Sequence, residues 1–344
     1  MEQLVEQSGA KKHPKLEKFI SVPLFKQSVK ANWVFWLVMT VGVAAIFIII
    51  NIVIGSKKIF TNIDMTAVSN YVKDEDMSFL SILGLLETMG FKLSRISVMS
   101  KIDMNSVLND LVYKIAGVIL PMIYVMSTAI KLISAQVSDG SMAYVLSTPT
   151  NRKKVVRTQF IFLVLSLIAM YLIVTLSAVL SETIANSLLR RNYPDQVYNT
   201  LDLPLRLIRT LLYCFGSFLA IFALGGICFG ASTFFNKSSN ATAIGGGVCV
   251  LSFLCCILGL FGNKVFVSVG VGVEAMNFFN YLSIFTLIDT ESMSDFVKCA
   301  INYEGYELLD GPLTWLWECL ALFGIGGVFA FLGSLRFVKK DLPL

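Results

Sequence analysis

The sequence predicts an all-α membrane protein with six transmembrane helices. Six long windows carry almost no charge, and each reaches the roughly 20 apolar residues that a helix needs to cross the hydrocarbon core. The composition agrees, with 56% hydrophobic residues, 15% charged residues and a mean hydropathy of +0.73. Soluble domains carry about 25% charged residues, which excludes that class. Because backbone polar groups inside lipid must be satisfied within their own segment, the windows are expected to be helical.

The windows define one membrane domain over residues 33–335, preceded by residues 1–32 and followed by a short tail, residues 336–344. They are Trp33–Ile54, Val112–Ile130, Thr158–Ser181, Thr210–Asn236, Ser238–Asn263 and Leu313–Leu335. The two ends and the loops on their side of the membrane (131–157 and 236–240) hold 15 Lys and Arg against 5 Asp and Glu, and the rest holds 13 against 18. Basic residues concentrate on the cytoplasmic side of membrane proteins. Both termini are therefore predicted to be cytoplasmic.

Residues 1–32 are predicted to form a cytoplasmic tail and an amphipathic helix on the membrane surface. Apolar residues at helical spacing lie before and after Pro23, and six lysines supply the opposite face. Such a segment binds the anionic cytoplasmic surface of the lipid bilayer. A disordered basic tail is the alternative, and it fits residues 1–12 best. No cleavable signal peptide is expected, because the first apolar run begins only at Trp33.

Three outer loops connect the spans, at about residues 55–111, 182–209 and 264–312. In the first, Asp76 is positioned to cap an outer-surface helix over Met77–Met99. In the last, Val265–Ile288 is apolar enough to suggest a seventh span, but that topology would place the acidic stretch 289–310 in the cytoplasm. We therefore expect a re-entrant or outer-leaflet helical hairpin before the last span.

Two further features stay open at the level of sequence. Small residues recur four apart in the last three spans, which lets helices approach closely, either within the bundle or at a dimer seam. These residues are Gly226, Gly230, Ala243, Gly247, Gly326 and Ala330. A disulfide between Cys299 and Cys319 is conceivable on the outer face, although spacing alone does not establish it.

The most specific stretch is the cytoplasmic loop 134–157. Asp139-Gly140 is expected to break the preceding helix, and Ser141 to cap a short helix with exposed Met142, Tyr144 and Leu146. Pro149 then ends that helix, and Thr150 or Asn151 is expected to cap the third span. An apolar helix on a cytoplasmic surface indicates a protein partner.

This loop resembles that of the permease subunits of type-two ATP-binding-cassette (ABC) exporters. In that family an acidic residue followed by glycine, a short helix ending in Leu-Ser-Thr-Pro and an arginine at the start of the next span recur in this place. The matching residues are Asp139, Gly140, Leu146, Ser147, Thr148, Pro149 and Arg152. The six spans, the surface helix and the outer hairpin fit the family as well, so the resemblance covers most of the chain.

The resemblance implies an exporter permease in a bacterial plasma membrane, paired with a second permease subunit that is either a copy of itself or a sister chain. A separate ABC ATPase subunit would bind ATP and Mg, and this chain would need no cofactor. The residues expected to couple the permease to that ATPase are Asp139, Gly140, Ser141, Met142, Tyr144, Leu146, Pro149 and Arg152. Of these, Asp139 and Arg152 would shape the loop, and Ser141, Met142, Tyr144 and Leu146 would face the ATPase.

Other chemistry finds little support in the sequence. The chain has no GxxxxGK[ST] phosphate loop, so ATP hydrolysis is not expected to be its own. His13 is the single histidine, which excludes paired-histidine metal sites, and the basic residues follow membrane topology rather than a nucleic-acid partner. A secondary carrier or channel is the alternative function, although no series of acidic residues crosses the bilayer to serve as its ion relay. Peptides, lipids, drugs and glycans all stay open as substrates.

Overall fold

A computed structural model of the protein describes residues 19–56, 117–147, 150–192, 203–260, 273–288, 292–293, 296–297 and 313–340. In these segments the secondary structure is helical, and six helices are long and apolar enough to cross a membrane. The predicted all-α membrane fold is therefore confirmed. The predicted outer helix over Met77–Met99, its cap Asp76, most of the N-terminal surface helix and Cys299 lie outside the described residues.

We number the α-helices in chain order. They are α1 (Val22–Ser56), α2 (Ile119–Leu132), α3 (Ser134–Ser138), α4 (Ser141–Ser147), α5 (Arg152–Asn192), α6 (Leu203–Phe234), α7 (Ser238–Leu260), α8 (Phe278–Leu282) and α9 (Thr314–Lys339). The six spans are α1, α2 together with α3, α5, α6, α7 and α9.

The central helix of the bundle is α6. Of its most apolar window 78% is buried within the protein, against 22% in α1 and 28% in α9. Its buried residues and those of α2 and α5 belong to one continuous hydrophobic core. The spans α2, α5, α7 and α9 pack against α6, whereas α1 packs mainly against α5 and exposes most of its surface.

The spans α1 and α5 run parallel along their length and are joined by four hydrogen bonds, three of them buried. The bonds run from Ser21 N–H to Thr158 Oγ1, Ser28 Oγ to Gln159 Oε1, Trp36 Nε1 to the Ser166 carbonyl, and Asn51 Nδ2 to Ser181 Oγ, all at 2.8–2.9 Å. Polar side chains commonly join helices inside membranes in this way. Because residue numbers rise together in both helices, α1 and α5 cross the membrane in the same direction, as first and third spans must.

The spans α6 and α9 are also parallel, and small residues let their backbones touch. A Cβ added at Gly226 would overlap the backbone of Gly326, and one added at Gly230 would lie 2.8 Å from the carbonyl oxygen of Phe329. Ala330 is buried beside them, at 3% exposure. The spacing of small residues suggested either packing within the bundle or a dimer seam. These four residues lie where two helices of the same chain pack together. Ala243 and Gly247 differ, because both are exposed on α7 and no atom lies within 4 Å of a Cβ built at Gly247.

One end of the bundle holds the short helices α3 and α4 and most of the basic side chains that the structure describes. Here α1, α5 and α7 begin, and α6 and α9 end, and we call it the loop end. Its exposed or partly exposed basic residues are Lys26, Lys30, Arg152, Lys153, Lys154, Arg157, Lys237, Arg336, Lys339 and Lys340. The structure thus gathers at one end the charges that lie far apart in the sequence.

The segment before the last span enters the bundle from the opposite end. Ser283 Oγ donates to the carbonyl of Ser252 in α7 (3.0 Å), and Ile284 N–H donates to Ser252 Oγ (2.8 Å). Ser252 lies about 21 Å along α7 from the loop end, within the roughly 30 Å hydrocarbon thickness. Phe285 and Ile288 are buried there. Residues 283–288, which include a short 3-10 helix over Phe285–Leu287, therefore pack on α7 within the bundle, and the re-entrant hairpin stays a prediction.

Several predicted boundaries were wrong. The second span continues to Ser138, past its predicted end at Ile130, and its predicted start at Val112 lies outside the described residues. Lys131 does not end the span, because its ammonium extends over the Phe35 ring, 5.4 Å from the centroid. The first span is continuous with the helix that starts at Val22, since Pro23 lies in the first turn, where its missing N–H costs nothing. Cys319 is a free, buried thiol.

Candidate functional site

The candidate site is built on a kink near the loop end of the second span. At Ile133 the backbone leaves the helical region (φ −131°, ψ −65°), which separates α2 from α3. The N–H of Ser134 donates to the hydroxyl of Ser232 in α6 (3.0 Å), and the hydroxyl of Ser134 donates to the carbonyl of Ile130 (3.1 Å). In a regular helix the N–H of Ser134 would bond to the carbonyl of Ile130. Here each of these two backbone groups bonds to a serine hydroxyl instead. The kink is therefore fixed to the central helix.

The turn after α3 forms at Asp139-Gly140, as predicted. Asp139 N–H donates to the Ala135 carbonyl (2.9 Å), and Gly140 has φ +72°, the left-handed conformation that ends helices. The carbonyl of Gly140 accepts from Ala143 N–H (3.1 Å), which starts α4. Glycine reaches this conformation without a steric penalty, so Gly140 in the sequence was enough to predict the helix end.

The two faces of α4 have opposite environments. Met142 is fully buried at 0% exposure within the main core, whereas Tyr144 is 81% exposed. Val145 and Leu146 are partly buried and pack against the core. The prediction that Met142 is exposed is therefore wrong, because α4 lies against the bundle and uses this side chain to anchor itself. Tyr144 is exposed as predicted, whereas Leu146 is only partly exposed.

Hydroxyl groups hold the ends of α4 in place. Ser141 is the first residue of the helix, and its hydroxyl donates to the Gln136 carbonyl of α3 (3.2 Å), so the prediction that it precedes and caps the helix is wrong by one position. Thr150 Oγ1 donates to the Val145 carbonyl near the other end (2.9 Å). Pro149 lies outside the described residues. The carbonyl of Asn151 accepts the first backbone hydrogen bonds of α5, which begins at Arg152.

Arg152 and Lys340 join three helix ends at the loop end. Arg152 Nη1 donates to the carbonyl of Lys340 (2.7 Å), just after α9. The ammonium of Lys340 in turn donates to the carbonyl of Phe234 at the end of α6 (2.6 Å). Cations are favourable at the C-terminal ends of helices, where carbonyls lack partners. Burial lowers the pKa of Lys340, and the charge of Arg336 lowers it further. The sequence suggested a loop-shaping role for Arg152 but gave no sign of Lys340.

A second polar feature lies at the opposite end and was not predicted. Arg206 Nε donates to Glu182 Oε1 at 2.7 Å, and the two side chains are 11% and 4% exposed. Glu182 lies about 45 Å along α5 from its start at the loop end, beyond a hydrocarbon core of about 30 Å. The pair joins α5 to α6 at the end of the bundle opposite the loop end. The sequence could have suggested this ion pair, because the predicted loop 182–209 has an acidic residue at its start and basic residues near its end.

The fold and this site together define a helical membrane protein of six spans that presents a short helix at its basic end. The family model described as ABC-2 family transporter protein matches residues 25–342. The chain therefore belongs to the ABC-2 transporter family and is a membrane permease of an ABC transporter. No curated protein matches the sequence.

Proposed function

We propose that this permease is an exporter subunit that binds a separate ATPase through α4. The observation that carries the proposal is Tyr144, an aromatic side chain 81% exposed on a helix whose other face is anchored by the buried Met142. Aromatic residues are enriched at the centres of protein interfaces, and exposed ones on a fixed helix offer a preorganised contact.

The connections of α4 support a coupling role. A force on α4 acts on α3 through the turn at Gly140 and on the second span through the kink at Ile133. The hydrogen bond from Ser134 to Ser232 extends the connection to α6, which contacts most other spans. Closure of ATPase subunits on α4 would therefore move the inner ends of two spans at once.

The charge pattern supports the placement of the loop end in the cytoplasm. Lys and Arg near span ends orient membrane proteins with their basic side inside. In this orientation α1 begins and α9 ends on the side where ATP is available, and the partner ATPase binds ATP and Mg. The Glu182–Arg206 ion pair then lies on the outside of the membrane.

The exposed face of α7 supports pairing with a second permease, either a copy of this chain or a sister. Ala243 and Gly247 are exposed one turn apart, in a helix whose face also carries the exposed Ile244, Val250 and Leu251. Small residues in that setting allow close approach of a second helix.

Purification of the tagged, full-length chain from its native membranes in mild detergent tests the proposal. We expect an ATPase with a phosphate loop to co-purify, and Tyr144→Asp to release it while Tyr281→Asp does not. Tyr281 is the matched control, because it is 83% exposed but follows α7 at the opposite end of the bundle. Transport by the purified chain alone in vesicles without ATP would contradict the proposal and favour a secondary carrier.

A further inference from the structure

A cavity opens sideways from the bundle between α1, α2 and α5. Its volume is about 300 Å³, in the range of small-molecule sites. The lining includes Phe25, Val29, Trp33 and Leu37 of α1, with Tyr124 of α2 and Phe162 of α5. It occupies the part of α1 nearest the loop end, which places it in the leaflet on that side.

The burial pattern shows how the cavity is oriented. Tyr124 and Phe162 are 0% and 5% exposed and form the inner wall, whereas Trp33 and Leu37 are 53% and 43% exposed and form the mouth. The mouth therefore faces the lipid side of α1. This helix is among the least buried of the spans, so a molecule in the cavity would fill a gap between α1 and the rest of the bundle.

The chemistry of the wall favours a hydrocarbon occupant. Its lining is almost entirely apolar. The indole N–H of Trp36 donates to the Ser166 carbonyl (2.9 Å), and the side-chain amide of Asn32 donates to the Ser28 carbonyl (2.9 Å). These two lining donors are already used within the protein, so hydrocarbon can lie against them without a desolvation penalty. The Tyr124 hydroxyl makes no hydrogen bond to the residues that the structure describes, but it is already buried and an occupant of the cavity would not remove it from water.

The rim of the cavity adds positive charge. Lys26 and Lys30 each follow a lining residue directly, Phe25 and Val29, and both lysines are exposed. Basic residues at the membrane surface attract anionic lipid headgroups. We propose that the cavity binds one acyl chain of an anionic phospholipid from the leaflet at the loop end, with its headgroup held by Lys26 and Lys30.

Tryptophan fluorescence provides a direct test, because two of the four tryptophans line the cavity and the other two lie in α9 at the opposite end. The probe is brominated phosphatidylglycerol or brominated phosphatidylcholine, mixed into vesicles of unbrominated phosphatidylcholine that contain the full-length chain with Trp315→Phe and Trp317→Phe. We expect phosphatidylglycerol to reach half-maximal quenching at a lipid fraction up to about thirtyfold lower, as two surface lysines would give at low salt. The difference should shrink as salt rises.

Two pairs of variants separate a specific site from general lipid contact. Lys26→Gln with Lys30→Gln should remove the preference, whereas Lys153→Gln with Lys339→Gln, exposed lysines at the same end, should keep it. Val29→Phe should fill the cavity and weaken quenching by phosphatidylglycerol, whereas Val34→Phe, exposed elsewhere on α1, should not. Equal quenching by the two lipids in the protein with an unmodified cavity would overturn the proposal. A preference for phosphatidylglycerol that survives the Lys26→Gln with Lys30→Gln variant, or quenching that Val29→Phe leaves unchanged, would overturn it as well. The test does not involve the ATPase, so its outcome is independent of the proposed function.

Discussion

Ser134 donates its backbone N–H to the hydroxyl of Ser232, 3.0 Å away, at the point where the second span kinks. The two residues are 98 positions apart in the sequence and both are fully buried. This bond replaces one that a straight helix would make with its own backbone. It therefore connects the shape of the second span to the position of the central helix.

We expect Ser232→Ala to lower stability by about 1 kcal/mol, because it leaves the N–H of Ser134 without its partner in a buried site. Thermal unfolding of the detergent-solubilised chain measures the change. Ser239→Ala is the matched control, since Ser239 is exposed near the start of α7. Equal unfolding temperatures for the two variants would show that the kink does not depend on this bond.

The turn at Gly140 predicts a graded series of substitutions. Its φ of +72° strains any side chain with a Cβ, but asparagine adopts this conformation more readily than other residues. We expect Gly140→Val to misplace α4 and reduce ATPase binding the most, Gly140→Ala less, and Gly140→Asn least. Because no atom lies within 4 Å of an added Cβ, the effect follows backbone conformation and not crowding. An order that follows side-chain volume alone would contradict this explanation.

The crossing of α6 and α9 predicts a sharp difference between glycines. Gly226→Ala forces a Cβ into the backbone of Gly326, so we expect loss of folded protein, measured as the fraction that elutes monodisperse after solubilisation. Gly324→Ala, in α9 itself, meets open space and should leave the yield unchanged. If both variants behaved alike, the close approach of these two spans would be wrong.

The ion pair at the opposite end should behave as a buried pair. Arg206→Gln leaves Glu182 without its cation, and we expect stability to fall by about 3 kcal/mol or more. Arg190→Gln, at an exposed position in the last turn of α5, should change stability little. In the double variant Arg206→Met with Glu182→Met, much of the loss should be recovered, because no unpaired charge stays buried. Denaturant titrations of the three variants provide the comparison.

Much of the fold could be predicted because it depends on local sequence. Uncharged windows identified six spans, and Asp139-Gly140 identified a helix end, since glycine is the residue that adopts φ +72° at low cost. The kink at Ile133 could not be predicted in this way. It depends on a hydroxyl group in another helix, and nothing near Ile133 in the sequence signals it.

The orientation of α4 was also beyond the sequence. Met142, Val145 and Leu146 are all apolar, and a helix of seven residues is too short for periodicity to indicate its buried face. Only the packing of α4 on the bundle distinguishes buried Met142 from exposed Tyr144. The predicted turn and short helix are therefore confirmed, the predicted exposure of Met142 is wrong, and the coupling role of α4 stays a prediction.

The most direct test of the account is photo-crosslinking from Tyr144 in intact native membranes. A photoreactive phenylalanine analogue in place of Tyr144 should crosslink to a separate ATPase subunit, and the same analogue in place of Tyr281, which is equally exposed at the other end, should not. The crosslinked partner is identified by mass spectrometry. An ATPase joined to position 144 alone is the predicted result, whereas no ATPase at position 144, or one joined only to position 281, would contradict it.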